Sequence, residues 1–305
     1  MASETDTIIL SAKKVLLDVV LLMCVGFPIL FIFLWGIPFR RGFFCNDEDL
    51  IHPYHPSTVP SIYLYIVGIV MNCTVMILIE YLNQPQYTRK VFFMGANIPY
   101  WWYNAYYVIL VFAFGMACSQ LSTDIMKYTV GRLRPHFLTV CRPNIDCSLP
   151  ANRHVYHVDF NCTSSFINNA RIMKEMRLSF PSGHSSFSMY SMLYFAIYLQ
   201  KRMDWDGSKL LKHTLQFLAI AAAVFVAMTR ISDYKHHWSD VLSGLIIGTI
   251  VACVTANVLA KYETRHILDN DCEYQSIPSC SSNERTPLCK SRGSRIFNFI
   301  PRISE

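Results

Sequence analysis

The strongest constraint on this chain is a series of apolar stretches, each long enough or nearly long enough to cross a bilayer. A membrane-crossing helix needs about 20 mostly apolar residues, and in hydrocarbon its backbone must satisfy its own hydrogen bonds. Six stretches meet or approach that length, at residues 15–37, 62–82, 103–123, 185–199, 215–228 and 241–260. The fourth and fifth reach full length only when Ser, Tyr and other polar residues at their ends are included. The first is too long for a cleavable signal and no small-residue cleavage site follows it, so it reads as a signal anchor. The expected fold is all-α, a polytopic membrane protein of six transmembrane helices. Composition agrees: only 16% of residues are charged, where soluble domains average about 25%. Asp18 and Glu80 lie in or beside spans and read as interface residues near helix ends.

Six spans put both termini on one side. That side holds 15 of the 27 Lys and Arg residues and the other side 12, a bias that favours cytosolic termini. The sequon Asn161-Cys162-Thr163, in the long loop after the third span, points the same way as a glycosylation site on Asn161. The same pattern at Asn72 falls mid-span and is out of reach. The expected organisation is a cytosolic N-terminus over 1–14, a six-span unit over 15–265 and a polar, disordered cytosolic tail over 266–305. The outer loops are expected at about 124–184 and 229–240.

Cys24, Cys73, Cys118 and Cys253 lie in apolar blocks and read as packing residues. Cys141, Cys147 and Cys162 share one polar loop, where Cys141 and Cys147 are near enough in sequence to pair. Cys272, Cys280 and Cys289 fall in the tail with no metal-ligand spacing. The net charge of +6 is scattered between apolar blocks, so no nucleic-acid stripe forms and nucleic acid is not an expected partner.

Chemistry concentrates in three clusters at span ends on the outer side. Lys127 and Arg134 are seven apart, which on a helix places them on one face two turns apart; Pro135 would end that helix at Arg134. Ser182 and Gly183 stand where the fourth span begins, and free N–H groups at a helix start attract anions. His236 and Asp240 are four apart, one above the other on a helix, which suits a carboxylate holding an imidazole in one tautomer. His237 is also within helical reach of Asp240, so spacing alone leaves the two histidines open. Arg230 adds a third cation. Three cations, a helix start, two histidines and a carboxylate suit phosphoryl transfer in which cations replace Mg²⁺. Arg132, Arg142 and Lys235 read as ordinary interface anchors.

These residues resemble the three-part signature of the type 2 phosphatidic acid phosphatase superfamily, K-x6-R-P, P-S-G-H and S-R-x5-H-x3-D. Lys127, Arg134 and Pro135 match the first part, Pro181, Ser182, Gly183 and His184 the second, and Arg230, His236 and Asp240 the third. Thr229 stands where the pattern has Ser and keeps a hydroxyl. The six spans, the sequon and the run Tyr234-Lys235-His236-His237-Trp238-Ser239-Asp240 look like the animal lipid phosphate phosphatases, over nearly the whole chain except the tail.

The resemblance implies a site at the outer ends of helices three to six. There His236 is the nucleophile that becomes phosphohistidine, Asp240 orients it, and His184 protonates the leaving alkoxide and then activates water. Lys127, Arg134, Arg230, Ser182 and Gly183 would hold the phosphate oxygens. It also implies lipid phosphates as substrates (phosphatidate, lysophosphatidate, ceramide 1-phosphate and sphingosine 1-phosphate), no Mg²⁺ or other cofactor, homo-oligomers, and a plasma-membrane location with the site extracellular or, in internal membranes, lumenal. A non-catalytic relative acting as a membrane scaffold would be expected to lose motif residues, and none is missing. A haloperoxidase would be soluble, a sugar phosphatase of this kind would have more spans, and the spans carry too few charges to line a transport path.

Overall fold

Capping chemistry sets where the helices start and stop. The computed structural model describes residues 7–83, 90–203 and 207–273. Strand β1, Thr7–Leu10, leads into helix α1, Ala12–Trp35, whose N-cap Ser11 accepts from the Lys13 N–H. After β2, Phe43–Phe44, the chain rises again through α2, Ser61–Tyr65, a π-helical turn at Ile66–Met71 and α3, Asn72–Leu82, which run on as one span. β3, Lys90–Phe93, and β4, Ala96–Ile98, form a hairpin that leads into α4, Tyr100–Val130. The segment after α4 holds α5, Phe137–Cys141, β5, Tyr156–His157, and α6, Ala170–Glu175. Three helices follow: α7, Gly183–Arg202; α8, Lys209–Ser232; and α9, Trp238–Glu273.

Five of these helical segments are long and apolar enough to cross a membrane: Ala12–Trp35, Ser61–Leu82, Tyr100–Val130, Leu210–Ser232 and Trp238–Val258. The fold is therefore an all-α polytopic membrane protein with a few short strands. The expected fourth span is α7, which is helical but falls outside that apolar set. Most of it lies buried among its neighbours, and its three tyrosines find hydrogen-bond partners on them. Tyr190, Tyr194 and Tyr198 recur every four residues and donate to Phe112 O at 2.7 Å, Val108 O at 3.4 Å and Glu80 Oε1 at 2.9 Å. Helix α9 packs closely on α7, since a Cβ added at Gly244 or Gly248 would meet the carbonyl oxygen of Ser182 or Ser186 at 2.5 Å.

Glu80 was expected at a wet interface but is 2% exposed. Arg202 holds it through two bonds of 3.0 and 3.1 Å, and Tyr198 through a third. Asp18 accepts from the Tyr106 hydroxyl at 2.9 Å.

At the β1 end, β1 pairs in parallel with β3, and β3 pairs antiparallel with β4. At the opposite end, β2 pairs antiparallel with β5, matching Phe43 to His157. There a small apolar core gathers Phe43, Leu50, Leu133, Phe137, Val140 and Met176. Two disulfides close it, Cys45–Cys147 and Cys141–Cys162. The sequence neighbours Cys141 and Cys147 thus do not pair with each other. Cys147 instead bonds Cys45, 102 residues upstream, and Cys141 bonds Cys162, 21 residues on. Residues from Leu259 form a second unit. Its helix runs to Glu273, past the expected start of the tail at 266, and includes Cys272. The rest of the tail, with Cys280 and Cys289, lies outside the described residues.

Candidate active site

The first cluster does not lie on one helix. Gly131 takes a left-handed φ of 58° and its N–H bonds Lys127 O, so α4 stops at Val130 rather than at Pro135. Lys127 remains in the last helical turn, 4.0 Å from Asp124. Arg134 is carried on the following loop, where its N–H bonds Met176 O at 2.9 Å. Its Nη1 stands 4.0 Å from Glu175, and its buried Nε has no partner among the described residues. Burial pulls the Arg134 pKa down. A buried guanidinium with an unused donor is equipped to receive an anion.

Ser182 is the N-cap of α7, as its position suggested. Its backbone N–H, however, bonds Asp240 O at 2.9 Å and is not open to a phosphate. Its Oγ accepts from Ser185 Oγ at 2.9 Å, which leaves its own hydroxyl hydrogen available. The first-turn N–H groups of Gly183 and His184 have no intrahelical acceptor by position. Gly183 leaves room for Lys127: a Cβ there would sit 2.6 Å from Lys127 Nζ and push it aside. Lys127 and the α7 start therefore share one small space.

The third cluster differs from an unbroken helix face. Helix α9 starts at Trp238, so His236 precedes it and Asp240 lies in its first turn. Asp240 Oδ2 reaches back to the His237 N–H at 3.1 Å, as an acid three residues inside a helix does to its N-cap. The expected bond from Asp240 to His236 is replaced. Nδ1 of His236 lies 2.7 Å from Ser179 O, against 3.9 Å from Asp240 Oδ2. Asp240 instead accepts from Ser179 Oγ at 2.6 Å, from Arg132 Nη1 at 2.6 Å, and pairs with His237 Nδ1 at 3.1 Å. Nδ1–H donating to a carbonyl leaves Nε2 of His236 with its lone pair. Burial, and then the charges of Arg134, Lys127 and His184, hold this imidazole well below its ordinary pKa. All three clusters therefore act on one histidine.

Arg230 is 1% exposed. Its Nη2 donates to Asp233 at 2.8 Å and to Thr229 Oγ1 at 3.2 Å, so the Thr at 229 supplies the hydroxyl that the family pattern supplies with Ser. Asp233 also accepts from Thr58 N at 2.8 Å and Thr58 Oγ1 at 2.6 Å. Ser57 Oγ lies 3.3 Å from Arg230 Nη1, and Ser61 Oγ 3.5 Å from His184 Nε2.

Several site residues escaped the sequence reading. Arg132 is no interface anchor; it grips Asp240 and Ser239. Lys235 is buried with its ammonium 3.8 Å above the Tyr54 ring, and burial beside Arg134 lowers its pKa to about 8. His136 donates Nδ1–H to Tyr234 O at 2.8 Å. Arg142 is exposed, as expected. Asn161 is exposed, while Asn72 is fully buried. Among the described residues, no group of three His, Cys, Asp or Glu could hold a metal ion.

The PAP2 superfamily model matches residues 107–263. A Drosophila melanogaster protein named "Putative phosphatidate phosphatase" is 49% identical over 81% of this chain and 68% of its own length. Phospholipid phosphatase 2 of Mus musculus is 39% identical over 81% of this chain and 86% of its own, and phospholipid phosphatase 1 of Rattus norvegicus 42% over 78% and 82%. No solved structure matches. The family model covers the converging clusters and the relatives extend the likeness over most of the chain, so this protein is a phosphatase of the PAP2 superfamily and belongs to its phospholipid phosphatase family.

Proposed function

We propose that the chain hydrolyses phosphate monoesters of lipids, including phosphatidate, lysophosphatidate, ceramide 1-phosphate and sphingosine 1-phosphate, through a phosphohistidine and without Mg²⁺. Nε2 of His236 attacks phosphorus as the bond to the lipid oxygen breaks. Burial and then the Arg230 charge lower the His184 pKa to about 3. The negative charge of the bound phosphate reverses that, so His184 is protonated when it acts, gives the lipid oxygen its proton and the lipid alcohol leaves. His184 then takes a proton from water, whose oxygen attacks the phosphohistidine and releases inorganic phosphate. Lys127, Arg134 and Arg230 neutralise the equatorial oxygens, joined by the Ser182 hydroxyl and the Gly183 N–H. Asp240 acts through Ser179, fixing the loop whose carbonyl selects the His236 tautomer.

The observation that carries this reading is the His236 ring. Its Nδ1 is committed to Ser179 O, so Nε2 is the free nitrogen, in a site with three cations, one of them Arg134, whose Nε has no partner among the described residues. The test is phosphate release from those four lipids by purified protein in detergent with excess EDTA. Turnover that survives chelation, is blocked by vanadate and is lost in His236→Ala is expected. Loss in EDTA with recovery on adding Mg²⁺ would refute the metal-free mechanism.

In this reading the site faces the extracellular or lumenal side of the membrane, both termini are cytosolic, Asn161 is glycosylated, and the chain acts as a homo-oligomer in the plasma membrane. The two disulfides support the orientation, because such bonds form and persist in oxidising compartments.

A further inference from the structure

The matched family region begins at residue 107, yet one side of the site is built by residues far upstream of it. Between β2 and α2 the chain passes over the third cluster and is fastened there. Asp233 is the fastening point. Its carboxylate takes the Thr58 N–H at 2.8 Å, the Thr58 hydroxyl at 2.6 Å and the Arg230 guanidinium at 2.8 Å. Thr58 is exposed and Asp233 is 6% exposed, so a surface loop is pinned to a buried carboxylate that also orients a cradle cation. The pin sets Ser57 against Arg230 at 3.3 Å and brings Ser61 to 3.5 Å from His184 Nε2.

We propose that residues 57–61 form the wall of the site that meets the alcohol half of the substrate, and that the Ser61 hydroxyl selects lipid phosphates with a free hydroxyl beside the scissile ester. This rests on the role given above to His184. In an in-line displacement the nucleophile and the leaving oxygen lie on opposite sides of phosphorus. If His236 attacks from one side, the nitrogen that protonates the leaving oxygen marks the other. A hydroxyl within reach of that nitrogen stands next to the carbon bearing the leaving oxygen. A glycerol phosphate with a free 2-hydroxyl offers a donor and acceptor there, whereas a diacyl lipid offers only an ester. A site that hydrogen-bonds a substrate hydroxyl discriminates against the analogue lacking it, because its own polar group is then left unpaired.

The experiment compares kcat/KM for lysophosphatidate and phosphatidate, with matched acyl chains in the same mixed micelles, for wild type, Ser61→Ala, Ser61→Thr and Thr58→Val. Inhibition by vanadate reports whether the phosphate cradle is assembled. The expected result is that Ser61→Ala lowers the lysophosphatidate-to-phosphatidate ratio about fivefold, the effect of one hydrogen bond. Vanadate inhibition should stay within about twofold, and Ser61→Thr should restore the ratio. Thr58→Val, which loosens the wall without touching the substrate, should move the ratio in the same direction and keeps the test valid if Ser61→Ala does not fold. A ratio unchanged in both variants overturns the proposal. So does an equal loss on both lipids, which would mean that Ser61 serves His184 alone. Wild type that hydrolyses neither lipid would instead count against the function proposed above.

Discussion

The His236 imidazole is held by Ser179, whose carbonyl oxygen lies 2.7 Å from Nδ1, and Ser179 is in turn held by Asp240, 2.6 Å from its Oγ. The order of mutant effects follows. His236→Ala removes the attacking nitrogen and should lower kcat by at least about a thousandfold. Asp240→Asn leaves the Ser179 carbonyl bond in place and should cost less, about 10- to 100-fold. Ser179→Ala keeps the carbonyl but frees the loop, for about a tenfold loss. Single-turnover phosphate release from the purified variants measures all three. Equal losses in His236→Ala and Asp240→Asn would show that Asp240 orients the ring directly.

His136 gives a pH prediction. Burial, and then the charge of Arg134, lower its pKa from 6.5 to about 3, so the fold holds it neutral. The unfolded chain binds this proton near pH 6.5, and the folded chain does not until pH approaches 3. Stability from this group is therefore complete above pH 6.5 and declines as pH falls towards 3, by about 1.4 kcal/mol per unit. His136→Asn can keep a donor towards Tyr234 O but does not titrate. Thermal unfolding in detergent should show a smaller fall in Tm between pH 7 and pH 5 for the variant than for wild type. Parallel slopes would mean that His136 gains its proton without leaving its site.

Gly183→Ala tests the crowding at the start of α7. The new Cβ would stand 2.6 Å from Lys127 Nζ, closer than side chains tolerate, and the flexible Lys is the group that moves. Displacing one cradle cation should cut kcat/KM by more than about tenfold, since cations aimed at developing charge act only when in position. Tm should change little because the backbone is free to stay. Near-wild-type kcat/KM would indicate that Lys127 does not touch the phosphate from this position.

Much of this was legible in the sequence, and the limits have physical causes. Five spans are visible because apolar residues facing lipid need no partner. Helix α7 is hard to see because Tyr190, Tyr194 and Tyr198 are satisfied by neighbouring helices and its serines largely by its own backbone, which composition cannot register. The signature residues stand out, but their geometry does not. Helical spacing joined Lys127 to Arg134 and His236 to Asp240, while a left-handed Gly131 and the late start of α9 break both helices. Arg132 and Asp233 look like ordinary surface charges until the fold sets them against Asp240 and Thr58. The Cys45–Cys147 pair was equally hidden, since the two are 102 residues apart.

The remaining prediction concerns the side of the membrane on which the chemistry occurs. The disulfides, Asn161 and the three clusters gather at the end of the helices opposite β1, so in the proposed topology they share one compartment. If that compartment is oxidising, Asn161 carries a glycan, and an endoglycosidase should shift wild type but not Asn161→Gln. The scissile phosphate would then sit near headgroup depth in the outer leaflet. A lipid can reach that depth with its chains still buried, at about 0.8 kcal/mol per buried CH₂, an anchoring that a soluble phosphate ester lacks. Intact cells expressing the chain should therefore release phosphate from added lysophosphatidate, not do so with His236→Ala, and leave a sugar phosphate largely untouched. Cleavage that appears only after permeabilisation would place the site on the other side or in internal membranes, and epitope tags at the two termini would separate those cases. Equal cleavage of the sugar phosphate by intact cells would mean that the bilayer does not select the substrate.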